Sequence, residues 1–450
     1  LFRGGEEGNI RKNLVENRHI QAIIGLPANI FFGTGIPTII MVLRKTRPAG
    51  ESGVLVVDAS KHFVKDGKSN KLRASDIKRI VDAVTGNRAI EKFSRLVPIE
   101  EIRTNDYNLN IPRYVDSSEA PERWDVYASM FGGVPKTEVA ALNAYWVAWP
   151  SLKAELYTDN GGPCLTPMEG DLARTVRSNA SVAAFCDGFD RAISSLPARL
   201  RLSLVEHPEG VDVLSEEGTV SAWIEDALKG LPLIDAYDAY QVLNDSWQDI
   251  AVDLEVIQTE GLEAVRRVDP NMVIKKVKNV DTEVQDGWTG RVLPFELVQK
   301  SMLSEELASI AEGEAHISQI DQELCELLEN LDEDDKNSSD AVNESGDAFV
   351  AAELNKAVKL IGKNPETDFD EALVRAKELL DEQKKVKKAV KIARKELEAK
   401  TKDAIEALTD EQCRDMLDAK WVVPLMDRLR ALPQGALDTF IAKVKTLNEK

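Results

Sequence analysis

The sequence predicts an α/β domain at the N-terminal end, followed by a mainly helical region that includes a long antiparallel helical hairpin. Three observations carry this. Residues 22–43 form an apolar run with no charged side chain, interrupted by Gly25, Pro27, Asn29, Gly33, Gly35 and Pro37. Short β-branched runs then alternate with an amphipathic segment up to Gly86. From Pro294 onward, leucines and isoleucines recur in heptad register over two long stretches rich in Lys and Glu.

A membrane span is excluded for residues 22–43, because a lipid-facing helix does not carry that many breakers. Two strands, 22–25 and 37–43, fit better: each is short and continuously apolar, as strands covered on both faces of a sheet are. The loop between them, residues 26–36, holds two adjacent aromatics, Phe31 and Phe32, followed by Gly33-Thr34-Gly35. Loops at strand ends are where α/β proteins keep ligand contacts.

Around this hairpin, residues 7–17 read as a helix carrying Arg11, Lys12 and Arg18, and 52–58 (SGVLVVD) as a buried strand. Residues 75–86 read as a helix with Ser75 as N-cap and Gly86 as C-cap. Polar residues 104–121 make an exit from the domain. Beyond it, Val139, Leu142, Trp146 and Trp149 share one helical face, a core stripe. Residues 171–206 and 221–268 give further helices broken by Pro197, Pro208 and Pro232, and 272–293 a β-hairpin turning at Asp286-Gly287. The first long helix keeps Leu303, Leu307, Ile310, Ile317, Leu324, Leu328 and Leu331 in register, with Glu314 and Asp321 as polar exceptions. An acidic loop, expected disordered, covers 332–347. The second long helix, 368–408, has Val386, Val390, Ala393, Leu397, Ala404 and Leu408 on one side, and Trp421, Leu425, Leu429 and Leu432 dock the end of the chain. The expected domains are therefore 1–116, 117–293, 294–408 and 409–450.

Charge is unevenly divided. Residues 1–116 hold 19 Lys and Arg against 13 Asp and Glu, a net of +6 in a chain whose total is −20. Polyanions are expected at the basic end, while the acidic remainder serves protein partners or solubility. The cysteines (164, 186, 325, 413) and histidines (19, 62, 207, 316) match no metal spacing, so neither a metal nor a disulfide framework is expected, and the cysteine usage fits a reducing, cytoplasmic setting.

The stretches LFRGGEEGNIRKNLVENRHIQAIIGLPANIFFGTGIPTIIMVLRK and DYNLNIPRYVD (106–116) resemble the modification subunit of type I restriction-modification enzymes, an adenine-N6 DNA methyltransferase family. Residues 132–152 and 287–299 look like the same family. The resemblance implies that 1–116 is the back, C-terminal half of a doubly wound methyltransferase sheet. It implies methyl transfer from S-adenosylmethionine to adenine N6 in double-stranded DNA, in company with a specificity subunit, a second modification subunit and the restriction (motor and nuclease) subunit. The family's glycine-rich cofactor turn and its Asn/Asp-Pro-Pro-aromatic motif precede the region where this sequence starts. Neither occurs here, there being no Pro-Pro pair in the chain, so no catalytic or cofactor-binding residue is assigned and the isolated chain is expected to be inactive.

An adenine methylated in duplex DNA must be flipped out and held against an aromatic face. By position relative to the following strand, the resemblance assigns that face to Phe31, with Phe32 second. Arg44, Lys45 and Arg47, leaving the second strand together, and Asn110 and Arg113, in the 106–116 peptide, are the candidates for contacts to the DNA backbone. A purely structural role for each remains open at this stage. A rival from another class is a non-enzymatic helical scaffold carrying a remnant methyltransferase domain.

Overall fold

A computed structural model describes residues 1–31, 33–46, 53–117, 126–277, 280–332, 335–336, 339–343, 345–362 and 365–449. Phe32 and Arg47 lie outside the described residues. The described chain is mixed α/β at its N-terminal end and mostly helical afterwards. It divides into two compact units, the first formed by Leu1–Arg201, Asp212–Ala251 and Val423–Lys450, the second by Leu202–Val211 and Val252–Val422. No helix among the described residues is long and apolar enough to cross a membrane.

In the first unit the chain runs through α1 (Glu6–Glu16), β1 (Ile20–Gly25), β2 (Ile39–Leu43), β3 (Val54–Asp58), the small hairpin β4 (Val64–Asp66) and β5 (Ser69–Lys71), α2 (Ala74–Thr85), β6 (Ser94–Val97) and α3 (Ile99–Thr104). Four strands make a sheet in the order β2-β1-β3-β6. Only β1 and β3 are parallel; β2 and β6 flank them antiparallel.

Alternation along the strands explains why both faces are covered. Ile23, Val54 and Val56 point into one core with Val15 of α1 and Ile102 of α3, while Ala22, Ile24, Leu55 and Val57 point into another with Ile80 and Ala83 of α2. The reading of 37–43 as a strand buried on both sides needs correction. As the edge strand, β2 leaves Ile39, Ile40 and Leu43 exposed. The capping of α2 differs as well: Arg73, not Ser75, is the N-cap residue, its backbone N–H donating to Asp76 Oδ2 at 2.9 Å, and Ser75 is buried inside the first turn.

The peptide 106–116 is built into this sheet domain. Asp106 and Tyr107 both take left-handed backbone (φ 52° and 56°), which turns Leu109 and Ile111 into the core beside β1 and β3. Its aromatics are anchors: the Tyr114 hydroxyl donates to Asn108 O at 2.5 Å, and the Tyr107 hydroxyl donates to Glu16 Oε1 at 2.6 Å. Arg103 adds two bonds to the same carboxylate, at 2.9 and 2.7 Å. These donors, Arg103 first and Tyr107 second, hold the Glu16 carboxyl at about 2, well below its ordinary 4.5. A depressed folded value means that the stabilisation is complete above the unfolded value and is lost as pH falls from about 4.5 through about 2. Glu16→Gln is therefore expected to melt earlier than the parent at pH 7, with the gap closing between pH 5 and pH 2, as thermal melts across that range will show.

The rest of the first unit packs around aromatics. Of the predicted stripe, Val139, Leu142 and Trp149 are buried and Trp146 only partly so; two short helices, Lys136–Ala141 and Asn143–Ala148, replace the single one expected, with Leu142 and Trp149 at their C-caps. Phe185 and Phe440 close on Trp149 edge-to-face at 5.7 and 5.2 Å.

In the second unit the β-hairpin forms, but its turn is not at Asp286-Gly287. Strands β7 (Val268–Val277) and β8 (Val280–Gly290) pair along nearly their whole length, and Gly287 sits within β8 at a register shift, using its positive φ of 81° for a bulge. An Asp-Gly pair serves either purpose, and the length of the paired strands decides between them. The long helices are α4 (Ser304–Glu329) and α5 (Asp368–Glu406), preceded by a separate short helix, Phe295–Met302. Ion pairs join Glu306 to Lys400, Glu314 to Arg394 and Glu323 to Arg375, so the partner on α5 moves back toward its start as α4 advances. The buried register of α4 is Ile310, Ile320, Leu324 and Leu328, and Asp321 stays outside, accepting a hydrogen bond from Gln383. Within the stretch expected as a polar loop, Ala341 and Val342 are buried, Ala341 in the core that also takes Leu354 of a further helix, Ala351–Ile361.

Candidate nucleic-acid interface

Residues 26–38 connect the C-terminal end of β1 to the start of β2, and their base is closed by Leu26 N–H donating to Thr38 O at 2.9 Å. Asn70 of β5 fixes the loop from the side: its Nδ2 donates to Ala28 O at 2.7 Å and its backbone N–H to Asn29 O at 2.9 Å. Asn29 takes φ 54° and Gly33 φ 81°. The result is a held base and a projecting tip. Phe31 is 55% exposed and Ile36 71%, whereas Ile30 packs against the sheet. An exposed ring on an anchored loop offers a flat apolar face to solvent at little ordering cost.

The same end of the sheet carries the C-terminal end of β3. Asp58 is 6% exposed there; its Oδ1 accepts from Ser60 N–H at 3.0 Å and its Oδ2 from the Ser117 hydroxyl at 2.6 Å. Lys61 donates to Ser117 O. A Cβ added to Gly25 would stand 2.7 Å from Ile111 Cδ1, so the 110–117 peptide lies close against the end of β1. Phe31, Asn110 and Arg113 are thus placed by the C-terminal edge of the parallel pair, where α/β sheets bind ligands. Asn110 and Arg113 are exposed, the latter donating to Asn105 Oδ1 at 3.3 Å.

Arg44 and Lys45 are elsewhere. They follow β2, so in an antiparallel pair they stand beside His19 at the start of β1, with Arg44 N–H donating to His19 O at 2.8 Å. The length of β2, about 17 Å at ~3.4 Å per residue, separates them from the Phe31 loop. Both are exposed, but they do not share a site with Phe31.

Asp58, Lys61, Ser117 and Asn70 escaped the sequence reading, since contacts 42 to 59 residues apart leave no local signal. His62 was similarly unremarkable. It lies edge-on to Phe93 at 4.9 Å and 3.9 Å from Asp76, and burial, with Arg79 nearby, pushes its pKa down. Among the described residues no group of three or more His, Cys, Asp and Glu is placed to hold a metal.

With this geometry in place, the chain can be set beside the proteins it is similar to. Residues 1–123 match the family model of N-6 DNA methylases. The chain is 41% identical over 149 residues to the type I restriction enzyme MjaVII methylase subunit of Methanocaldococcus jannaschii, a match covering 32% of this chain and 26% of that protein. It is 36% identical over 126 residues to the type I restriction enzyme MpnII methylase subunit of Mycoplasma pneumoniae, covering 28% and 23%. The chain thus spans about a quarter of the length of the curated relatives it matches. A crystal structure of the type I restriction-modification system methyltransferase subunit from Streptococcus thermophilus is 49% identical over 26% of this chain and 25% of that one, with a TM-score of 0.25, too low to argue fold from. The resemblance read from the sequence, to the modification subunit of a type I restriction-modification enzyme, stands on the matched family model and these relatives.

Proposed function

We propose that this chain is part of a type I modification subunit that methylates adenine N6 in double-stranded DNA, with its sheet the back half of a doubly wound methyltransferase domain. One observation carries the reading: within the segment that matches N-6 DNA methylases, the loop at the sheet's C-terminal edge presents Phe31 to solvent on a fixed base. A flipped adenine needs such a face. Asn110 and Arg113 stand at the same edge and suit phosphate contacts there; Arg44 and Lys45, at the other end of β2, suit a more distant part of the duplex. Phe32 keeps its place as the second stacking candidate and Arg47 as a backbone candidate by sequence position alone.

S-adenosylmethionine is the methyl donor that the family implies, and the residues described at this edge do not fit it. The chain holds neither the glycine-rich turn by which the family binds it nor the family's Pro-Pro motif, and at this edge Ile111 Cδ1 lies against Gly25 while Asp58 accepts from Ser60 and Ser117. No step of transfer is therefore assigned to this chain's residues. Calorimetric titration of the chain with S-adenosylmethionine is expected to give no saturable micromolar binding; such binding would place a cofactor site where we see none.

Partners follow the same reading: a specificity subunit, a second modification subunit and the restriction subunit, all in the cytoplasm. The helices α4 and α5, read as a long antiparallel hairpin, are the surface proposed for the specificity subunit. Removing residues 298–408 behind a short Gly/Ser linker is expected to leave the first unit folded and to abolish co-purification with that subunit. Assembly of the shortened protein would move the docking site elsewhere. The alternative, a helical scaffold with a remnant methyltransferase domain, is favoured if the gene upstream of Leu1 encodes neither a glycine-rich turn nor an Asn-Pro-Pro-aromatic motif.

A further inference from the structure

Between Gln383 and Lys395, helix α5 carries seven basic residues and no acidic one, in a chain of net charge −20. Elsewhere the same helix neutralises itself one turn away, Lys377 with Asp381 and Lys402 with Glu406. Of the seven, Arg394 is paired across to Glu314, whereas Lys384, Lys385, Lys387, Lys388, Lys391 and Lys395 are exposed and have no ion pair among the described residues. At 3.6 residues per turn, Lys384, Lys388, Lys391 and Lys395 fall within about 60° of one another and run about 16 Å along the axis. Gln383 and Leu397, both buried, stand roughly 80–180° round the helix from these four. The stripe therefore runs along the flank of the face that α5 buries, and Lys391 and Lys395 also line a cleft with Glu314 and Ile317 of α4.

Like charges three and four residues apart repel, and a helix that needed only to be wet would intersperse acids, as α5 does on either side of this window. A row of exposed ammonium groups on a rigid rod, with Asp381 beside one end and Glu398 beside the other, matches a polyanion of regular charge spacing. Duplex DNA, with one phosphate per ~1.7 Å of axis, is such a polyanion, and lysine serves as a point charge toward phosphate without base readout. We propose that this face of α5 binds the phosphate backbone of duplex DNA, a second contact independent of the Phe31 edge. The choice of DNA over another polyanion rests on the function proposed above.

The test is fluorescence anisotropy of the full chain with a 30-base-pair duplex of mixed sequence, from 50 to 200 mM salt. The variant K384A/K388A/K391A/K395A, with alanine favouring the helix, is compared with K153A/K229A/K300A/K359A, which removes four exposed lysines scattered over the chain. The stripe variant is expected to bind at least tenfold more weakly at 100 mM salt, with the slope of log affinity against log salt reduced by about 3 to 4, while the scattered variant keeps the parent's affinity and slope. Helicity by circular dichroism confirms folding, and glutamine at the same four positions replaces alanine should the first variant misfold. The proposal is overturned if the parent does not bind, if both variants lose affinity equally, or if the stripe variant loses only binding to poly-glutamate, which would mark an acidic protein as the occupant. Cofactor and methyl transfer play no part in the assay, so its failure and a failure to methylate are read separately.

Discussion

Phe31→Ala in the assembled methyltransferase is expected to lower methylation of duplex DNA by about 5- to 150-fold, while the melting temperature and cofactor affinity stay near the parent's. The range follows from base stacking worth roughly 1 to 3 kcal/mol. The near-silence in stability follows from exposure: a ring 55% open to water loses little burial on truncation, and the loop base is held by Asn70 and Thr38 backbone contacts that do not involve it. Trp at position 31 should restore activity if stacking is the role, because the larger π face serves equally well. A loss of subunit co-purification with methylation per assembled complex unchanged would instead assign the exposed ring to a protein contact.

Trp149→Ala is expected to destabilise the first unit by about 3 to 5 kcal/mol, the largest single-residue effect we foresee in it. Trp149 is fully buried, and Tyr145, Phe185 and Phe440 all pack on its ring within 5.7 Å. Phe440 comes from the last helix, Leu432–Asn448, so the indole ties chain segments nearly 300 residues apart. Its buried Nε1 has no hydrogen-bond partner. Trp149→Phe is therefore expected to cost much less than the alanine change, since the loss of ring volume is partly offset by removal of an unsatisfied donor. Urea denaturation of the two variants gives the comparison. Equal destabilisation by both would mean that the indole's full volume, and not aromatic packing in general, holds the cluster.

The strand-rich N-terminal end, the helical remainder, the core position of Trp149 and the resemblance to methylase subunits were all legible in the sequence, because each rests on signals confined to a few consecutive residues. An apolar run broken by Gly and Pro, a heptad register and a short motif are local facts. What the sequence could not rank was which apolar strand lies at an edge: IIMVL in β2 is as hydrophobic as VLVVD in β3, yet β2 leaves Ile39, Ile40 and Leu43 exposed while β3 is wholly buried. Lateral position in a sheet is set by pairing partners distant in the chain. For the same reason, Asp286-Gly287 reads as a turn but is spent on a bulge, and it is the antiparallel pairing of β1 and β2 that sends Arg44 and Lys45 to the end of the sheet opposite the Phe31 loop. Tertiary structure alone decided that Asn70, Asp58 and Ser117 secure the candidate edge, since hydrogen bonds spanning more than 40 residues leave no periodicity to read.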